Sequence, residues 1–358
     1  MAPFKLGVVG LGHRGIHIFE LATAAFPDML QGVAICDNNE EILKAGAEKF
    51  PNATPYNDFY EMLDKAELDV LLVETPAHCH AAFCVEGRKR GLYVFGEIPC
   101  VSSLEEATAL WQADISSPKG FFTTGANPNE WGFVEALYSY YKQGLLGKPY
   151  YMEAEYIHDC RYLWASTPWR RTMYPITYCT HSLGPLLRIT DEDLRQVSCM
   201  DTGAWVMGGE DEHDLMTAHF HAPSGLVVRF TASFINNAGC GHHSYRVYGS
   251  EGYFERLSSR GQQKPITTFN SKKLYGFDKS TIVSIEEQRP EFEARSKNFG
   301  GHGGADFVLW YDFVEALKAN GPAPIPLKEG LRMTIPGIFA RESAKQGGKL
   351  IDIAYPWD

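Results

Sequence analysis

Glycines near the amino terminus form the pattern with the most specific chemistry in the chain. The apolar segment Leu6-Gly7-Val8-Val9 leads directly into Gly10-Leu11-Gly12-His13-Arg14-Gly15, which is the order of a buried strand, a tight turn and the start of a helix. In such a turn the first glycine permits the bend, the second lets the backbone approach a pyrophosphate, and the third lets the helix pack on the strand. The N–H groups at the helix start then face the phosphate charge. The pattern predicts a dinucleotide site at residues 10–15.

An acidic residue in the expected place indicates which dinucleotide is bound. A second apolar run, Val33-Ala34-Ile35-Cys36, ends at Asp37, about 20 residues after the last glycine, as this kind of site requires. A carboxylate there accepts hydrogen bonds from the ribose hydroxyls and repels a 2′-phosphate. We therefore expect NAD rather than NADP.

Composition excludes several other classes of protein. The 358 residues carry 33 basic and 44 acidic side chains, a formal charge of −11, and no basic stripe, so a nucleic-acid partner is not expected. Eight cysteines without a CxxC pair favour reduced thiols over disulfides or zinc, and no HExxH or similar spacing suggests a metal. With no signal peptide and no apolar run long enough to span a bilayer, we expect a cytoplasmic protein without a membrane partner.

Alternating strand and helix patterns up to about residue 125 predict a first domain, 1–125, built as a doubly wound parallel sheet. Its expected strands are 4–9, 32–36, 69–74, 92–95 and 120–123, and its expected helices are 14–24, 39–48, 58–64, 78–90 and 103–113. Ser102 or Ser103 would cap the last of these helices.

The rest of the chain, 126–358, predicts a second α+β domain. After a linker helix at 129–145, the alternating segments 150–156, 216–220, 226–234 and 245–248 indicate an open, largely antiparallel sheet, and 256–300 are expected to be long loops. Helices are expected at 304–319 and 328–346, before a strand at 350–353. Whether this closing helix and strand pack back on the first domain stays open.

Motifs after the third and fourth strands resemble a known family. Thr75-Pro76, His80 and Glu97-Ile98-Pro99 are similar to the corresponding segments of the Gfo/Idh/MocA oxidoreductases. The resemblance implies that Thr75, Pro76, His80 and Glu97 lie beside the NAD cofactor. It also implies hydride transfer to or from a sugar or polyol carbon, and a homodimer or homotetramer assembled through the second-domain sheet. Ile98 stands where the family has a lysine, and an apolar side chain cannot transfer a proton.

Further motifs resemble the NAD-dependent glycosidase branch of that family, glycoside hydrolase family 109. They are Tyr156-Ile157-His158-Asp159-Cys160-Arg161, Trp169-Arg170, Tyr178-Cys179-Thr180-His181 and His302-Gly303-Gly304-Ala305-Asp306. This branch implies redox-neutral cleavage: oxidation at C3, elimination across C1–C2, addition of water and re-reduction, with NAD tightly retained. Residues 173–177 depart from the branch, which leaves the sugar open.

The expected catalytic pair is Tyr178 and His181, because a spacing of three places both side chains on one face of a helical turn. Histidine titrates near neutrality, and a nearby Arg161 or Arg170 would lower the pKa of the tyrosine. The alternative is a core tyrosine beside a structural histidine.

Substrate contacts are expected from His158, Asp159, Arg161, Trp169, Arg170 and His302. Each has a plainer alternative: Asp159 and Arg161 suit a surface ion pair, Arg170 a solvated cation, and His302 a helix cap. For the whole protein, the alternatives to a glycosidase are a sugar or polyol dehydrogenase that releases NADH and a non-catalytic NAD-binding sensor.

Overall fold

A computed structural model describes residues 2–236, 242–258, 264–286 and 288–358 and divides the chain into two compact units. The first unit comprises the chain up to Asn127 together with Glu291–Leu331 and Tyr355–Trp357. The second comprises Pro128–Pro290, Arg332–Ala354 and Asp358. The predicted boundary after residue 125 therefore corresponds only to the first place at which the chain passes from one unit to the other. The segment 291–331, which the sequence pattern assigned to the second domain, belongs to the first unit.

The elements are numbered along the described part of the chain. The strands are β1 (Phe4–Val9), β2 (Leu30–Cys36), β3 (Thr54–Tyr56), β4 (Val70–Val73), β5 (Tyr93–Gly96), β6 (Phe122–Thr124), β7 (Pro149–Ile157), β8 (Gln196–Asp201), β9 (Met216–His221), β10 (Val227–Ser233), β11 (His242–Gly249), β12 (Gly252–Leu257), β13 (Ile266–Ser271), β14 (Thr281–Val283) and β15 (Ile351–Asp352). The α-helices are α1 (His13–Ala25), α2 (Glu40–Lys49), α3 (Phe59–Lys65), α4 (His80–Lys89), α5 (Leu104–Ile115), α6 (Gly132–Lys142), α7 (Thr180–Leu187), α8 (Glu293–Ser296), α9 (Ala305–Ala319) and α10 (Leu327–Lys345).

The first unit contains a parallel sheet with the strand order β3-β2-β1-β4-β5-β6. Its inner strands are mainly apolar, as a sheet covered on both faces requires, and all four residues of β4 are buried. The predicted doubly wound fold is confirmed. The strand order reverses between β1 and β4, which is where open α/β sheets bind ligands. The sequence analysis missed β3, because its Thr-Pro-Tyr sequence carries a proline tolerated only at a sheet edge.

Helix starts in the first unit are of two kinds. Asn39, Asp58 and Ser103 each accept hydrogen bonds from backbone N–H groups in the first turn of α2, α3 and α5, as capping residues do. Helix α1 instead begins after Gly12, without a side-chain cap among the described residues. Its first N–H groups therefore point toward the space where a ligand anion would lie.

The second unit contains a sheet with the order β14-β13-β12-β11-β7-β10-β9-β8-β15. Its pairings are antiparallel except for the parallel contact of β7 with β10, so the predicted open, largely antiparallel sheet is confirmed. The expectation of long loops over 256–300 is wrong in part, because β13 and β14 extend this sheet. Both are short, and the buried side of β13 includes the polar Thr267 and Ser271, which hides the alternation in the sequence.

The last elements of the chain are divided between the two units, with α9 in the first and β15 in the second. In the first unit, Trp310 of α9 stacks on Phe95 of β5 with ring centres 4.5 Å apart. In the second unit, β15 pairs with β8. Among the described residues, none of the helices is both long and apolar enough to cross a membrane.

Candidate active site

The glycines of the phosphate turn, residues 10–15, occupy three different environments in the first unit. Gly10 has a φ of 92°, a conformation that favours glycine. A Cβ on Gly15 would lie only 1.9 Å from the carbonyl oxygen of Gly10, so helix and turn pack without room for a side chain. A Cβ on Gly12 would meet no atom within 4 Å. The open side of the turn at Gly12 fits a pyrophosphate on the first amides of α1.

Asp37 connects the end of β2 to the phosphate turn. Its Oδ2 accepts from the Leu11 N–H at 2.8 Å and its Oδ1 accepts from the Asn39 N–H at 2.9 Å. Each oxygen keeps a further lone pair for a ribose hydroxyl. The backbone N–H of Leu11 is used in this contact and its side chain is buried, so Leu11 shapes the turn. Thr75 adds a buried hydroxyl oxygen with no hydrogen-bond partner among the described atoms, and the set fits an NAD ribose and phosphate.

Arg14 binds two carboxylates rather than solvent. Its Nη1 and Nη2 donate to Asp306 at 2.7 and 2.8 Å, and its Nε donates to Glu97 at 3.0 Å. Asp306 also accepts from Asn127 Nδ2 at 2.7 Å, and His302 Nδ1 lies 3.0 Å from it. Burial alone would raise the pKa of Asp306, but the Arg14 guanidinium outweighs it and holds that pKa well below its usual range. Arg14, Glu97 and Asp306 form a group that we call the carboxylate cluster.

The carboxylate cluster changes the interpretation of three predicted site residues. The Arg14 and Glu97 side chains bind each other, so they fix the phosphate turn relative to the end of β5. His302 lies beside Asp306 in the first unit, with a φ of 45° just before the left-handed Gly303 and Gly304. The motif from His302 to Asp306 therefore has a structural function in addition to the substrate contact that was predicted for His302.

His80 was predicted to lie beside the cofactor, which stays a prediction, and in the structure both of its ring nitrogens face backbone carbonyl groups. Its side chain is buried, and its Nδ1 and Nε2 lie 2.8 Å from the Pro99 carbonyl oxygen and 2.5 Å from the Thr75 carbonyl oxygen. Both ring nitrogens are thus occupied by the backbone. His80 instead connects the Thr75-Pro76 segment to the segment after Glu97, and so positions both.

Position 98 carries no group that transfers protons. Ile98 is 4% exposed, and its backbone N–H donates to Glu97 Oε1 at 2.9 Å. The side chain is part of the core of the first unit. Proton transfer therefore has to come from other residues.

Aromatic and imidazole rings gather in the second unit around Tyr156 of β7. The ring centre of Tyr156 lies 5.3 Å from Tyr178, 5.5 Å from His181 and 4.7 Å from His243. Tyr178 and His181 lie 4.9 Å apart at an interplanar angle of 30°. We call these four residues the ring cluster.

The local backbone explains how Tyr178 and His181 meet. Tyr178 has φ −90° and ψ 49° and follows a short 3-10 turn, so the two residues do not share a helical turn as predicted. His181 lies in the first turn of α7, and its carbonyl oxygen accepts from the Tyr245 hydroxyl at 2.7 Å. The thiol of Cys179, between the two, donates to the Met333 carbonyl oxygen at 3.0 Å. These two contacts anchor Cys179 and His181, and so position the Tyr178–His181 pair.

Two members of the ring cluster, Tyr156 and His243, were not predicted as site residues. In the structure His243 pairs with Tyr156 across β11 and β7, which brings their side chains together. Burial, followed by the nearby Tyr178, raises the pKa of Tyr156 well above its usual value. Tyr156 therefore keeps its proton and acts as a hydrogen-bond donor.

The predicted substrate residues of the second unit separate into two groups. Arg170 packs its guanidinium 4.6 Å from the Trp169 ring, its charge acts on Tyr156, and its buried Nε has no hydrogen-bond partner among the described atoms. His158 stacks near Tyr156 at 5.9 Å.

Asp159 and Arg161 instead form an ion pair with each other. Arg161 Nε and Nη2 donate to Asp159 at 2.8 and 2.6 Å, and both side chains are 39% exposed. This is the surface ion pair that was the alternative for these two residues. Arg170 is therefore the arginine whose charge reaches the ring cluster.

Comparisons with known proteins match the two parts of the chain separately. Residues 4–122 match the family described as "Oxidoreductase family, NAD-binding Rossmann fold", and residues 134–255 match the "GFO/IDH/MocA C-terminal domain". The fold and the site thus define an enzyme with an NAD-binding Rossmann domain and a second, sheet-containing domain. The chain belongs to the GFO/IDH/MocA oxidoreductase family.

Relatives and solved structures resemble the chain over nearly its whole length. A glycosyl hydrolase family 109 protein of Solibacter usitatus is 22% identical over 96% of this chain and 86% of its own length. An alpha-N-acetylgalactosaminidase of Shewanella oneidensis is 27% identical over 96% of this chain and 83% of its own. Levoglucosan dehydrogenase, in complex with NADH and levoglucosan, matches with a TM-score of 0.80 at 18% identity, covering 98% of this chain and 99% of its own. A myo-inositol 2-dehydrogenase from Lactobacillus plantarum matches with a TM-score of 0.78 at 18% identity, covering 98% of this chain and 100% of its own.

Proposed function

We propose that this protein is an NAD-dependent glycosidase that oxidises a sugar at C3, eliminates the C1 substituent, adds water and restores the hydroxyl. The observation that carries the proposal is the contact of Tyr178 with His181, 4.9 Å between ring centres. Two groups able to transfer protons at neutral pH are what this sequence of steps needs. The glycosidase names of the full-length relatives support the same reaction.

The proposed chemistry divides between the cofactor and the ring cluster. When bound, NAD⁺ supplies a hydride acceptor that returns the hydride at the end of the cycle. One residue of the Tyr178–His181 pair takes the proton of the C3 hydroxyl as that carbon is oxidised. The resulting ketone acidifies the C2–H bond, so the other residue removes the C2 proton while the C1–O bond breaks. Water then adds to C1, a proton returns to C2, and the ketone is reduced.

Ile98 supports the assignment of proton transfer to the second unit. The lysine that the related enzymes place at this position is replaced by a buried apolar side chain. A tyrosine serves as a base only when its pKa is lowered, and a neighbouring cation does this. Arg170, whose charge acts on Tyr156 beside Tyr178, is the arginine to which we assign this role, because Arg161 binds Asp159.

We further propose how the sugar is held. Tyr156, kept protonated, donates a hydrogen bond to a sugar oxygen, and Trp169 with its stacked Arg170 offers a flat face to the ring. His158 lies at the edge of this group. A direct substrate contact from His302 remains a prediction, because its imidazole lies beside Asp306.

The cycle ends with the cofactor as it began, so we propose that NAD stays bound between turnovers. Asp37, the phosphate turn and Thr75 would hold it. We also propose a homodimer or homotetramer built on the second-unit sheet. One face of this sheet carries paired charges such as Arg229 with Glu153 at 2.9 Å. Analytical ultracentrifugation at micromolar concentration tests this assembly, and a monomer there would contradict it. The cytoplasmic location stays a prediction.

The function is tested by incubating the purified protein, without added cofactor, with α- and β-linked aryl glycosides. We expect release of the phenol with no net absorbance change at 340 nm, because the hydride returns. If NADH accumulates only when NAD⁺ is supplied and no phenol is released, the protein is a dehydrogenase. If neither signal appears across the panel while NAD still binds, the sensor alternative is favoured.

A further inference from the structure

A buried glutamate packs directly against the phosphate turn. Glu74 directly follows β4, the strand that pairs with β1 where the strand order of the sheet reverses. Its N–H donates to the Val9 carbonyl oxygen at 2.9 Å. A Cβ on Gly10 would lie 2.6 Å from the Glu74 carbonyl oxygen, and a Cβ on Gly15 would lie 3.1 Å from the Glu74 Cβ. The turn that receives the dinucleotide phosphates therefore rests against this residue.

The carboxyl group of Glu74 is buried next to the carboxyl group of Glu97, and none of the described cations is paired with it. The residue is 8% exposed, and both of its carboxyl oxygens are buried without a hydrogen bond to any described atom. The nearby cation, Arg14, already binds Asp306 and Glu97. Three carboxyl groups thus surround one guanidinium. An ionised Glu74 would leave an uncompensated buried negative charge, which is costly.

Charge on the surrounding elements acts in the same direction. Burial, and then the negative charge of Glu97 after β5, raises the pKa of Glu74 well above its usual value. Asp306 from α9 adds to this effect, and Arg14 from α1 opposes it without cancelling it. The free protein therefore favours a protonated, neutral carboxyl at this position.

We propose that Glu74 is the proton-linked residue of the dinucleotide site, whose carboxyl must carry a proton for phosphate groups to settle on the turn. Ionised, it would repel the two negative charges of a pyrophosphate from the opposite side of the same turn. Protonated, it removes that repulsion. Binding of a dinucleotide is then weakened as pH rises through the titration of Glu74. This inference does not depend on the glycosidase proposal, because it concerns binding alone.

The test measures dissociation constants between pH 6.5 and 9.5 for two probes, NADH and ADP-ribose. ADP-ribose carries the pyrophosphate without the nicotinamide, so it isolates the effect on phosphate. For both probes we expect the dissociation constant of the wild-type protein to rise toward about tenfold per pH unit, the limit for one linked proton. In Glu74→Gln, which imitates the neutral carboxyl, it should change by less than about threefold over the range.

Controls separate this effect from other charges. Glu61→Gln removes the same charge from an exposed position of the first unit, where Glu61 pairs with Lys65, and should keep the wild-type pH dependence. Glu67→Gln, which removes a charge from the exposed pair of Glu67 with Lys5, should keep it as well.

Three results would overturn the proposal: a flat wild-type profile, an unchanged slope in Glu74→Gln, or loss of the slope in Glu61→Gln. If Glu74→Gln fails to fold, calorimetry of ADP-ribose binding to the wild-type protein between pH 6.5 and 9.5, in buffers of different ionisation enthalpy, decides the question. Proton uptake supports the proposal, and its absence contradicts it.

Discussion

The carboxylate of Asp306 accepts from both terminal nitrogens of Arg14, at 2.7 and 2.8 Å, across 292 residues of sequence. Arg14 is part of the phosphate turn, and Asp306 lies in the first turn of α9. This contact is one of those that attach a segment near the end of the chain to the NAD-binding unit. The position of the phosphate turn therefore depends on Asp306, a carboxylate that is distant from the turn in the sequence.

We predict that Asp306→Asn lowers the free energy of unfolding by about 3 kcal/mol, the usual cost of leaving one partner of a buried ion pair. Asp306 is 1% exposed. Because its folded pKa is depressed, its contribution is complete above the unfolded value near 4 and is lost only as pH falls below it. Urea unfolding at pH 7 and pH 3 measures both effects. Asp64→Asn, in an exposed pair with Arg90, is the control and should cost less than about 1 kcal/mol.

For Glu74 the pH dependence of the free energy of unfolding has the opposite sign. Its folded pKa is raised, so the folded state binds more protons than the unfolded state once pH exceeds the ordinary glutamate value. The wild-type free energy of unfolding should then fall as pH rises toward the folded pKa. Glu74→Gln should lose this dependence and be more stable than wild type at pH 8.5. A Glu74→Gln protein less stable than wild type at that pH would show that Glu74 is ionised and paired.

Tyr178→Phe and His181→Gln should each reduce kcat by about 100-fold or more, the usual contribution of general acid–base catalysis. NADH binding, measured by fluorescence, should stay within about twofold of wild type, because neither substitution changes the phosphate turn or its contact with Asp37. Activity retained in either variant would remove that residue from the proposed pair.

His243→Gln should lower kcat by up to about tenfold, since an aromatic contact such as that with Tyr156 at 4.7 Å is worth roughly 1 kcal/mol. The acidic limb of the pH–rate profile should also move, which a purely structural change would not cause. His219→Gln, on the exposed side of β9, is the matched control and should leave both unchanged.

Arg170→Met should shift the pH–rate profile to higher pH, because removing a cation raises the pKa of a nearby tyrosine. The kcat at high pH should recover toward the wild-type value. Arg161→Met, which removes the charge of the exposed pair with Asp159, should leave the profile in place. The same shift in both variants would show that the effect comes from net charge alone.

The local sequence was sufficient to predict the NAD-binding part of the protein. The spacing of Gly10, Gly12 and Gly15 and the acidic end of β2 each follow from one short segment, so the Rossmann sheet and the phosphate turn were predictable. Contacts between distant segments were not. Nothing near Asp306 in the sequence indicates Arg14 as its partner, and Glu74 is visible as a buried carboxyl only once the turn packs against it.

The second unit shows the same limit. Tyr178 and His181 were predicted as a pair from their spacing, although the helical turn assumed for them is absent and the backbone before α7 brings the rings together instead. His243 needed the register of β11 against β7, which pairs it with Tyr156. Strand register depends on long-range pairing, and a single sequence does not encode it in any local pattern.

The measurement that tests the central claim most directly is proton NMR of the products formed in D₂O, with no added cofactor, from the glycoside that the aryl panel identifies. Elimination followed by addition of water exchanges the C2 proton with solvent, so we predict free sugar carrying deuterium at C2. Free sugar that keeps its C2 proton would contradict the account, because the C1–O bond would then have broken without oxidation at C3 and elimination.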